Sequence, residues 1–283
     1  IANVTDLVIV DANGTATAVD FSGAVSTTTS IDLNGTQGGT YTFDGLVTTP
    51  TLTTDAGNAG DGADQTFSLV LGGGAQITNA VAFDNTGTLT LVGTPTDQVY
   101  LGGLDTTGVS GTVTLSGDVR TQGVVTVASL ANGGDLTLVN SGATTFSSDV
   151  SAANVTLTET AGQVTFADGS TNTFTGALST TGGLDLRILG DTTVAVDSSL
   201  DNTGGVTFGN EVGDTITFTG GLDTLDVGTT TLFGSLVSDG TQMDLSDVVL
   251  AGAGVIDTNG GVLNANDTNG IATAGNALTL DGA

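Results

Sequence analysis

The most constraining feature of this chain is a beat. Short segments in which apolar and polar residues alternate recur throughout, and from Gly134 onward their leading apolar residues are Leu136, Phe146, Val155, Val164, Phe174, Leu184, Val194, Val206, Ile216 and Leu225, about ten residues apart. Alternation with period two places every second side chain on one face of a pleated strand, so each segment buries one face and wets the other. Gly, Asn, Asp and Ser punctuate the segments, as at Asn13-Gly14, Asn34-Gly35 and Asp44-Gly45, where positive φ angles close tight turns. No stretch shows a helical period.

Composition agrees with this reading. The chain has 283 residues, 38% of them hydrophobic, which is too apolar for an acidic disordered tail. Thirty acidic residues face two basic ones, Arg120 and Arg187, for a net charge of -28. All but Glu159 and Glu211 of the acids are Asp, a turn former where Glu favours helices. A chain without Lys cannot neutralise a row of phosphates or coat an anionic bilayer, which excludes nucleic acid as a partner. No apolar run approaches the ~18 residues of a membrane span, so membrane insertion is not expected. Cys, His and Trp are absent, and a long chain with neither thiols nor disulfides fits bacterial surface proteins. The chain opens at Ile1 without a leader and reads as a mature or excised piece.

The expected fold is all-β: a right-handed parallel β-helix, or β-solenoid, with coils of about 20 residues, each coil holding two beats. Tandem β-sandwich domains are the alternative, since they too place short strands and turns at a regular close spacing. The chain shows no clear linker and reads as one repetitive domain over 1–283, less regular in 1–105, where both prolines fall. Phe21, Phe43, Phe67, Phe83 and Tyr100, then Phe146, Phe166, Leu186 and Phe208, suggest a ladder at one corner of successive coils. About thirteen coils at ~4.8 Å each follow from this spacing.

Phrases such as GALSTTGGLDLRI, GGVTFGNEVGDTITFTGG and GDLTLVNSGATTF resemble the repeat regions of large bacterial surface proteins of the filamentous-haemagglutinin-like and autotransporter-passenger type. That resemblance implies a right-handed β-helix in an extracellular or cell-surface rod that serves adhesion, biofilm or coat formation, and it carries over no catalytic residue. A weaker resemblance to bacterial surface-layer proteins rests on the excess of Thr, Gly, Ala and Asp and the lack of Lys and Cys; it implies calcium binding.

Ca2+ is the expected ligand, because hard cations take several oxygens from Asp, Asn and carbonyls of a flexible loop. Asp55, Asn58, Asp61 and Asp64, in the glycine-rich stretch 55–64, are spaced to converge on one. Asp257, Asn259, Asn264, Asn266 and Asp267 form a weaker second cluster that stacked Asn ladders explain equally well. An enzyme is not expected: without His, Lys or Cys, acid–base work falls to paired carboxylates, and no pair stands out. Arg187 shares the outward face of its strand with Asp185 and is expected to pair with it. The phenylalanines sit on the apolar side of the alternation, so aromatic platforms for carbohydrate are not expected. The partners that remain are copies of the chain itself, meeting head to tail or in a lattice, and a cell-surface receptor.

Overall fold

The computed structural model describes residues 1–11, 17–35, 38–54, 66–92, 98–132, 134–158, 162–265 and 269–282. Among these residues every element is a strand. The pairings between coils are parallel throughout, as in Gln163–Phe166 against Asp185–Ile188, and the fold is a right-handed parallel β-helix. Parallel ladders rule out tandem β-sandwiches, whose neighbouring strands are antiparallel. A turn takes roughly 22 residues, more than the sequence spacing suggests, which brings the number of turns to about 11 instead of thirteen. The chain divides into two compact units, Ile1–Asn132 and Gly133–Ala283.

In the first unit the column Val19, Tyr41, Leu69, Leu89, Val113 and Leu130, buried from Tyr41 onward, advances unevenly, with its shortest step from Val113 to Leu130. The longest step, from Tyr41 to Leu69, contains the 55–64 stretch. Because of it Phe67 falls out of register with Phe43: Phe43 stacks on Phe21 at 4.8 Å and pairs with Leu71, and Phe67 tilts against Tyr41 at 4.7 Å. The aromatic ladder expected from spacing therefore breaks after one step.

The second unit is more even. Three faces recur in each coil, seen in one turn as Gln163–Phe166, Thr171–Phe174 and Leu178–Gly182. On the first face Thr144, Val164, Leu186, Val206, Thr230, Val248 and Ile271 stack one above another, and no step is as long as that from Tyr41 to Leu69. Two positions along, Phe146, Phe166, Ile188, Phe208 and Leu232 form the parallel column. Ile188 holds the place expected for Leu186, because Phe166 is in register with Ile188 and Leu186 lies over Val164. The Phe146 and Phe166 rings stack at 4.8 Å and 8°, the spacing of neighbouring strands themselves.

Turns are tied to the next coil by side chains. Asn202, fully buried, donates to the carbonyls of Leu184, Gly204 and Gly205 and accepts from Thr180 at 2.7 Å. Asn85 in the first unit repeats the motif on Phe67, Gly87 and Thr88, and Asn132 on Leu115. The buried amides supply donors to carbonyls turned inward at the corners, two of which, Thr88 and Gly204, also accept a backbone amide, from Leu69 and Gly228.

Candidate functional site

The corner between the first and second faces of the second unit departs most from the repeat. Only Leu189 and Gly190 bridge these faces between Ile188 and Asp191. One coil later the whole segment from Gly209 to Asp214 bridges Phe208 and Thr215. This insertion accounts for the long step from Thr192 to Ile216. Asp214, 5% exposed, folds the extra segment back on itself: its carboxylate accepts the amides of Asn210 at 2.7 Å and Glu211 at 2.9 Å. Gly209 begins it at φ +73°, and a Cβ there would strike the Phe233 carbonyl, so the corner requires glycine. In the next coil the two faces merge into one strand, Thr229–Ser238, bent at Gly234 with φ +101°.

That strand turns Thr230, Leu232, Gly234, Leu236 and Ser238 inward, so Phe233 points outward and is half-buried. This corrects the expectation that every phenylalanine is core. Phe233 has room because residue 252 is glycine; a Cβ at 252 would collide with its ring. Arg187 lies on the same side of the sheet, in the outward column Thr165, Arg187, Thr207 and Thr231. Between them is a groove of about 460 Å³ floored by Gly205, Thr207 and Gly209, with Gln163, Asp185 and Arg187 on one wall and Phe233 on the other.

Arg187 and Asp185 do not form the expected ion pair. The Asp185 carboxylate accepts the Gly205 amide of the next coil at 2.8 Å instead, because a carboxylate at a strand start lies over the following turn. The ion pair among the described residues is Arg120–Asp118 at 3.2 Å. No described residue bonds the Arg187 guanidinium.

On the other side of the extended corner, Asp168, Glu211 and Asp214 bring carboxylate oxygens within 4.8 Å of one another. Asp168 belongs to the equivalent corner two coils earlier. Three hard oxygens can contribute to a divalent-cation site, although calcium takes about six to eight. Nothing in residue spacing brings Asp168 and Asp214 together; the visible signal is NEVGD at 210–214, longer than its sister corner at Leu189 and Gly190 and carrying one of the two glutamates.

No protein-family model, curated protein or solved structure matches the chain.

The loop expected to hold calcium, Asp55, Asn58, Asp61 and Asp64, lies outside the described residues, as do Asn266 and Asp267 of the second cluster. Two described members of that cluster form coil-to-coil ladders: Asn259 donates to Asp239 at 2.9 Å and Asn264 to Asp244 at 2.6 Å. Each pair reaches from one coil to the next and joins acceptor to donor, instead of gathering oxygens around one point.

Proposed function

We propose that the chain is part of an extracellular rod on a bacterial surface, used to extend, adhere or build a coat. The supporting observation is the regular stack of the second unit. Six steps of the first-face column repeat one strand geometry, and at ~4.8 Å per step they carry the chain about 29 Å along one axis. Length that scales with repeat number, wrapped in short Thr, Ser and Asp side chains, suits a spacer. A calcium-held subunit of a surface layer is the second reading, favoured by the Asp168, Glu211 and Asp214 triad and by the charge of -28 that cations offset.

One experiment addresses both. Antibodies raised against the chain are applied to intact cells that make it, before and after washing with a calcium chelator. Surface label that survives washing is the expected result for a rod anchored through its own polypeptide, and label released by the chelator favours the calcium-held layer. Label that appears only after permeabilisation overturns both.

A further inference from the structure

We infer that the groove between Arg187 and Phe233 binds a neutral saccharide. Four features of the second unit meet there. Phe233 is an aromatic ring on the wet side of its strand, and Gly252 beneath it leaves the space the ring occupies. Arg187 offers a planar set of donors that no described residue engages, in a chain with thirty acids and two bases. Asp185 is committed by one oxygen to the Gly205 amide, which fixes its carboxylate at the rim with the other oxygen as an acceptor. Gly205 and Gly209, without side chains, keep the floor low.

This combination sorts ligand classes. A flat ring stacks against the C–H face of a sugar, and a guanidinium, an amide and a carboxylate supply the donors and acceptors that its hydroxyl edge needs. The volume of about 460 Å³ lies within the ~300–1,000 Å³ of small-molecule sites. Anionic polymers are disfavoured, since Asp185 balances Arg187 locally and the surrounding charge of -28 repels them. Cations are disfavoured by Arg187 itself. Binding of this kind stands whether or not the chain is displayed on a cell.

Saturation-transfer NMR and calorimetry on the whole chain, with cellohexaose, maltohexaose, mannohexaose and chitohexaose as probes and polygalacturonate as the anionic comparison, test it. At least one neutral oligosaccharide is expected to bind, with tenfold or greater weakening in both Phe233→Ala and Arg187→Gln. Phe233→Leu, which keeps an apolar side chain over Gly252, guards against misfolding: it is expected to melt like the parent and still to lose binding. Failure of every neutral probe at millimolar concentration, binding of polygalacturonate alone, or neutral binding that survives both Phe233→Leu and Arg187→Gln overturns the inference.

Discussion

The two units solve the same problem with different chemistry. Successive coils leave amides at their corners that the strand ladder does not reach, and a side chain from a neighbouring coil must accept them. In the first unit hydroxyls take this part: Ser26 for Asn3, Thr66 for Gly38, Thr54 for Asp84, Ser68 for Thr88 and Thr106 for Ala128. The second unit adds carboxylates: Asp135 for Asn154, Asp149 for Thr171, Asp185 for Gly205, Asp191 for Thr215 and Asp247 for Asn269. Bonds to an ionised acceptor are shorter and stronger than those between neutral groups. The unit with the more even step is thus the one tied by charge, and much of the aspartate that reads as turn punctuation serves as inter-coil acceptor.

The largest contrast is expected from the cores. Phe166 is buried between Phe146 and Ile188 and also contacts Phe174, so Phe166→Ala opens a cavity in a column packed above and below and is expected to cost about 3–5 kcal/mol. Phe166→Leu, which gives up three side-chain carbons where Phe166→Ala gives up six, is expected to cost about half as much, because the column already holds Ile188 and Leu232 and asks for volume more than for an aromatic ring. Denaturant melts of the two variants check this; equal losses would mean that ring stacking, not volume, holds the column.

A smaller difference separates the buried asparagines. Asn202→Leu takes the amide from the Leu184 and Gly205 carbonyls and the acceptor from the Thr180 hydroxyl, while the Gly204 carbonyl keeps the Gly228 amide. Asn85→Leu takes the amide from the Phe67 and Gly87 carbonyls only, since the Thr88 carbonyl keeps the Leu69 amide and its own Oδ1 has no partner. Each substitution is expected to cost on the order of 1–3 kcal/mol per stranded group that water cannot reach, with Asn202→Leu the larger. Chemical denaturation of both variants ranks them, and the reverse order would show that the Thr180 bond contributes nothing.

The strand type and parallel coil were legible because alternation and beat are properties of every segment, so a few irregular turns do not hide them. Coil length was legible only approximately: Phe166 and Phe208 lie two coils apart, the two steps between them are unequal, and Ile188, not Leu186, sits between them. The groove was hidden for a local reason. Leu232 and Phe233 are adjacent, and which of the two faces inward is decided by the bend at Gly234 and the register against Phe208, neither of which an apolar pair announces. Asp168 and Asp214 are remote in sequence and meet only because two turns of the coil intervene.

The subtlest expected effect tests the charge in the second unit's ties. Asp247 accepts the backbone amide of Asn269 at 2.7 Å and its side-chain amide as well. These bonds, the backbone one foremost, hold its carboxyl below the usual carboxylate range. A folded-state pKa lower than the unfolded one gives a contribution that is complete above the unfolded pKa and disappears as pH falls through the folded one. The difference in Tm between the parent and Asp247→Ala is therefore expected to be constant near neutrality and to shrink toward zero on acidification below about pH 4. Ser68→Ala, which removes the hydroxyl accepting the Thr88 amide at 3.0 Å in the first unit, is expected to show a Tm difference that does not change over the same range. If the Asp247→Ala difference also stays flat into acid, the tie depends on geometry alone, and the contrast between a charge-tied and a hydroxyl-tied unit fails at this position.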